Sequence, residues 1–143
     1  MIFGIGTDIV SYNRIRGLNE QYGIRFAQRL LSATELAGYT ASTDPARYLM
    51  KRFAAKEAFA KAMGTGLRSN VSLGRIRIEH DALGKPSLAF DEVLANYVTG
   101  LGITRHHLSI SDERDVAVAF VVLEAWMVGS ADVPSAFHHN RSS

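Results

Sequence analysis

The chain of 143 residues contains no cysteine. Disulfides, thiolate metal sites and a thiol nucleophile are therefore excluded. The apolar run Val116–Leu123 is eight residues long, whereas a membrane-spanning helix needs about 20. The sequence opens directly into apolar residues without a basic leader, so a soluble, cytoplasmic protein is expected, with no membrane partner. No G-x-G-x-x-G opens a helix after a strand, and no G-x-x-x-x-G-K-[ST] occurs, which argues against the common nucleotide folds. Repeats and an interdomain linker are also missing. A single domain fits the length, and 47% hydrophobic content suffices for a core.

What is present is unevenly charged. Residues 1–77 carry 12 Lys and Arg against 5 Asp and Glu, whereas residues 78–143 carry 4 against 9. The first half thus has a net charge of +7 and asks for an anionic partner. Four of its arginines, Arg14, Arg16, Arg25 and Arg29, fall among Ile15, Leu18, Tyr22, Phe26 and Leu30 in loose helical spacing. They suit docking of an acidic protein or a polynucleotide, or plain solvation.

The stretch R-F-A-A-K-E-A-F-A-K-A-M-G-T-G at 52–66 reads as the end of a long helix, 45–63, begun by S-T-D-P and stopped by Gly64. Phe53, Glu57 and Lys61 share one face with Lys56 beside them, and Ala54, Ala58 and Ala62 form a small-residue stripe open to close approach. By itself Glu57 with Lys61 is an ordinary surface ion pair. The opening strand, I-F-G-I-G-T-D-I-V, changes that balance. Alternation puts Gly4, Gly6 and Asp8 on one side. Two glycines there imply close approach by the alanine-rich helix or by a ligand. Asp8 brought beside Glu57 would repel it, and a hard divalent cation such as Mg2+ relieves that repulsion. The competing account has Asp8 capping a turn at Ser11.

Elsewhere, the segment 13–30 is interrupted by Gly17 and Gly23 and reads as two short helices or a kinked one. Ser32 and Glu35 form a capping box opening a helix over 32–39. Gly64, Thr65 and Gly66 offer exposed N–H groups to a phosphate, or make a plain helix exit. A hairpin is predicted across 73–90, with a helix capped by Asp91 after it. The strand 105–112 sets His107, Ser109 and Ser111 on its polar side, where a merely satisfied histidine is an equal reading. The run 116–123 reads as a strand buried on both faces. The order is β-α-α-α-β-β-α-β-β, an α+β domain over residues 1–125 with a small, mainly antiparallel sheet, followed by an aperiodic tail, 126–143, expected to be disordered.

G-I-G-T-D-I-V at 4–10 together with K-R-F-A-A-K-E-A-F-A-K-A-M-G-T-G at 51–66 resembles the bacterial holo-[acyl-carrier-protein] synthases, the small class of 4'-phosphopantetheinyl transferases. L-G-K-P at 83–86 and H-H-L-S-I-S-D at 106–112 agree, and the resemblance spans about residues 2–125. It implies transfer of phosphopantetheine from coenzyme A to a serine of apo acyl carrier protein, releasing adenosine 3',5'-bisphosphate. It further implies Mg2+ held by Asp8 and Glu57, Lys61 at the reacting phosphate, and His107 at the coenzyme site. The family's homotrimer, with active sites in the clefts between neighbours, is implied too. The tail beyond Ala125 departs from the shorter family members.

The chemistry agrees with that reading. Phosphoryl transfer to a hydroxyl needs a cation against phosphate charge, an ammonium for the charge that develops, and a base. The base is open between a water on the metal, Glu57 and His107 acting through water. Gly64, Thr65, Gly66 and Ser109 are expected beside the coenzyme, and the four arginines on the acidic carrier. A non-catalytic carrier-binding module and a small nucleic-acid-binding protein are the rivals from other classes. Two apolar strands, 2–10 and 116–123, exceed what the helices easily cover, so a closed ring of copies is expected over a monomer that packs both internally.

Overall fold

The computed structural model describes residues 1–126. The expected tail beyond Trp126 lies outside the described residues. Strand β1 (Ile2–Ser11) leads into helices α1 (Tyr12–Tyr22), α2 (Ile24–Leu30), α3 (Ala33–Ala41) and α4 (Pro45–Met63). A short 3-10 turn (Leu73–Arg75), the hairpin β2 (Ile76–His80) and β3 (Pro86–Phe90), helix α5 (Glu92–Gly100), and strands β4 (Ile103–Asp112) and β5 (Val116–Ala125) follow. The α+β reading holds. All pairing is antiparallel, but it is divided between two sheets, β1-β5-β4 and β2-β3.

Local signals account for most boundaries. Ser11 caps α1 by accepting from the Arg14 N–H, so the turn there is capped without Asp8. The helical segment breaks at Gly23, whose φ of 55° suits glycine, and not at Gly17, which stays inside α1. Four helices therefore stand between β1 and β2 instead of three. The capping box of α3 makes both of its bonds, at 3.3 and 3.0 Å. Asp44 caps α4, Pro45 enters its first turn, and Gly64 leaves it at a φ of 78°. Leu73–Arg75 winds into the 3-10 turn where the hairpin's first strand was expected, and that strand begins at Ile76.

Helix α4 is the centre of the molecule. It packs against β1 and β5 and is touched by α1, α2, α3, β2 and β4. Eleven of its 19 residues are buried. The fully buried Leu49, Met50, Phe59 and Met63 form its apolar contribution to the core, which continues through Ile15, Ile76, Leu94 and Leu123.

The reading of 116–123 as a strand buried on both faces is corrected for the single chain. In β5, Ala117, Ala119, Val121 and Leu123 face α4 and are buried, whereas Val118 and Phe120 are exposed. In β1, Val10 is buried and Ile5 and Ile9 are 61% and 65% exposed. Among the described residues, three strands with helices on one side leave the other side bare, because period-two alternation sends half the side chains there.

Candidate active site

The site begins with two missing side chains. A Cβ on Gly4 would overlap the carbonyl oxygen of Ala62, and one on Gly6 would overlap that of Ala58. The glycines therefore serve the alanine-rich helix, and β1 lies directly against the α4 backbone. Asp8 follows on the same side of β1 and is brought to the Glu57–Lys61 turn. Lys61 donates from Nζ to Asp8 Oδ1 and to the Thr7 carbonyl, each at 3.0 Å. The Asp8 side chain is only 16% exposed and that of Lys61 is 53% exposed. Burial, and then the Asp8 charge, push the Glu57 pKa up, while Lys61 and Arg14 pull it down.

Two hard carboxylates that repel each other make a donor set suited to Mg2+, and the Lys61 ammonium occupies the Asp8 oxygen that such an ion would take. No group of three or more His, Cys, Asp or Glu residues that could hold a metal occurs among the described residues. An ion held here would complete its coordination from substrate and water, which is the usual habit of Mg2+.

Other expected site residues divide. The Gly64 and Gly66 N–H groups, read as exposed, fold back onto the Lys61 and Ala60 carbonyls at 3.0 and 3.2 Å, so they end the helix. The Thr65 hydroxyl bonds the Gly66 carbonyl. This loop still follows Lys61 directly. His107 and Ser109 pair with Val122 and Phe120, whereas Asp8 pairs with Ala119, so they occupy opposite faces of one sheet. One chain does not bring them together. His107 Nε2 instead lies 2.7 Å from Glu124 Oε2.

Lys56, placed by its spacing beside Glu57 and Lys61, is fully buried and turns the other way. Its signal was its place on the Leu49–Ala60–Met63 stripe, whose three apolar members are all buried. Its partner Glu35 is also a member of the α3 capping box. Desolvation pushes the Lys56 pKa down to about 8, against the pull of Glu35.

The four arginines have different neighbours. Arg25 and Arg29, both exposed, line an open cleft of about 510 Å³ with Leu18, Tyr22, Phe26 and Leu73. Arg14 stands over the Phe53 ring, 5.7 Å from its centroid and one turn before Glu57. Arg16 makes an exposed pair with Glu20 at 3.5 Å, which contributes little.

Residues 4–122 match the model of the 4'-phosphopantetheinyl transferase superfamily. The chain belongs to that family. It is 58% identical over 124 residues to a holo-[acyl-carrier-protein] synthase of Nitrosospira multiformis, covering 87% of this chain and 99% of the relative. A crystal structure of the holo-[acyl-carrier-protein] synthase from Neisseria meningitidis superposes with a TM-score of 0.84 at 53% identity, covering 87% and 99% of the two chains. The Bacillus anthracis synthase, solved in complex with CoA (3',5'-ADP), gives a TM-score of 0.73 at 36% identity, covering 88% and 99%. Among the described residues, no helix of this transferase is long and apolar enough to cross a membrane.

Proposed function

We propose that this chain is a cytoplasmic holo-[acyl-carrier-protein] synthase that moves phosphopantetheine from coenzyme A to a serine of apo acyl carrier protein. The observation that carries the reading is the meeting of Asp8, Glu57 and Lys61, 53 residues apart in sequence at the Asp8–Lys61 contact. Asp8 and Glu57 would hold Mg2+ beside the coenzyme diphosphate. When bound, the ion neutralises phosphate charge and polarises the phosphorus. Lys61, exposed enough to exchange Asp8 for a phosphate oxygen, stabilises the charge that develops in the transition state. The serine oxygen forms the new bond to phosphorus, the bond to the bridging oxygen breaks, and adenosine 3',5'-bisphosphate leaves. The hydroxyl proton passes to a base, for which a water at the site, Glu57 and, from another copy, His107 acting through water are the candidates. Gly64, Thr65 and Gly66 flank the coenzyme beyond Lys61.

The carrier docks on the arginine side. An acidic helical surface with apolar residues suits a cleft that joins Arg25 and Arg29 to Leu18, Tyr22 and Phe26. A polynucleotide would ask for a continuous basic track, and the apolar lining favours protein instead. Arg14 lies nearest the chemistry, and Arg16 is the least engaged of the four.

The active assembly is a homotrimer. Its support is the bare sheet face, where Ile5, Ile9, Val118 and Phe120 are between 37% and 65% exposed. His107 and Ser109 share that face, so they reach a coenzyme site only when another copy packs there. Three copies close a ring without leaving an unpaired patch.

The test is incubation of the protein with coenzyme A, Mg2+ and apo carrier, followed by intact mass. A gain of one phosphopantetheine on the carrier is expected. Carrier binding with no mass gain would leave a non-catalytic binder and overturn the proposal.

A further inference from the structure

Lys56 spends all three of its ammonium hydrogens inside the protein. Its Nζ donates to the Leu30 carbonyl at 2.8 Å, the Leu73 carbonyl at 3.0 Å and Glu35 Oε1 at 2.7 Å. The Glu35 carboxylate is itself saturated. It accepts from the Ser32 and Ile78 N–H groups, each at 3.0 Å, and Arg52 Nε stands 3.4 Å from Oε2. Arg52 is held in turn over the Tyr48 ring at 3.5 Å.

A buried ion pair of this kind is a poor source of stability. Well-packed apolar side chains in its place are often neutral or stabilising. What the cluster does provide is position. Leu30 is the last residue of α2, and its carbonyl is one of those a helix end leaves without an internal partner. A lysine ammonium is a favourable partner at that end. Helix α2 has only seven residues and no side-chain cap at its start, so it depends on tertiary contacts for its place. Leu73 begins the 3-10 turn on the other side.

Leu30 and Leu73 both line the cleft that contains Arg25 and Arg29. We infer that Lys56 is a positioning residue for the carrier: its ammonium ties the two walls of the docking cleft to each other and to α4. The width of the cleft is thereby set from the helix turn that carries Glu57, the next residue in sequence. Docking geometry and the metal carboxylate share one rigid element. This inference rests on the reading that the cleft receives the carrier.

The experiment compares K56M, the double variant E35Q/K56M and the charge reversal R25E in steady-state kinetics with each substrate varied. The double variant removes the Glu35 charge that K56M alone would leave buried with Arg52 as its one charged partner. A folded Lys56 variant should raise the carrier KM by about tenfold or more while kcat and the coenzyme A KM stay within about threefold. If R25E leaves the carrier KM unchanged, the docking reading fails and the inference falls with it. If R25E raises it and a folded E35Q/K56M does not, the inference alone is overturned. A fall in kcat at unchanged carrier KM would assign Lys56 to Glu57 and not to the cleft. Loss of cooperative unfolding in both Lys56 variants would make the cluster a support of the core, which also overturns it.

Discussion

Gly6 lies against the carbonyl oxygen of Ala58 so closely that even a methyl group there would overlap it. The contact is backbone to backbone, and neither partner can yield as a flexible side chain would. It brings β1 onto α4 and carries Asp8 to Glu57 and Lys61. G6A should therefore cost about 1–3 kcal/mol, the range for overpacking a tight interior, and should reduce Mg2+-dependent activity as Asp8 is displaced. Denaturant midpoints with parallel assays check this; a G6A protein equal to the parent in both would refute it.

Removing either carboxylate's charge should abolish metal-supported turnover without unfolding the chain. D8N and E57Q are expected to keep the parent circular dichroism and lose Mg2+ binding by calorimetry in the presence of coenzyme A. Unchanged turnover in either variant would remove that residue from the metal site.

Lys61 stands at Asp8 where a cation would otherwise go, so its two roles oppose each other. K61A should lower kcat on the order of 100-fold, as expected for loss of a transition-state stabiliser, with little change in the coenzyme A KM. Without coenzyme A, the same variant should bind Mg2+ no more weakly than the parent, because a competing ammonium has gone. Weaker metal binding in K61A would show that Lys61 supports the carboxylates instead.

His106 gives the fold a pH dependence that is separable from the chemistry. It is half-buried with its ring 5.1 Å from that of Phe90, and burial, then the neighbouring His107, push its pKa below the usual 6.5. The unfolded chain takes up this proton at the ordinary histidine value, and the folded chain only at lower pH. Stability tied to His106 is thus fully present above about 6.5 and is lost as pH falls from there toward the depressed folded value. H106F should flatten this part of the stability profile, measured by urea midpoints at a series of pH values; an equally steep decline in H106F would place the titration elsewhere.

The bare face of the sheet should decide assembly. Light scattering is expected to give three times 15.7 kDa, about 47 kDa. A charge placed among Ile5, Ile9, Val118 and Phe120, as in I9E, should lower both mass and activity, and concentration should restore them by mass action. A fully active species of about 16 kDa, the mass of one chain, would refute both the trimer and the shared site.

Much of this protein was determined locally, and the parts that were follow from short-range physics. Pro45 and Gly64 bound α4 because proline suits a helix's first turn and glycine its left-handed exit. Ser32 and Glu35 started α3 through bonds that span three residues. Gly4, Gly6 and Asp8 shared a side by strand alternation alone, and the spacing of Glu57 and Lys61 set them one helical turn apart. Only the tertiary structure decided the rest. Lys56 is charged, and helical spacing alone could not show that its side of α4 meets Glu35 and two carbonyls brought in from 26 and 17 residues away. The exposure of Ile9 and Phe120 depends on how many layers cover the sheet, a property of no single strand. His107 and Asp8 carry the same motif-level promise, yet pairing through β5 puts them on opposite faces, because register and not residue type determines which side a strand side chain takes.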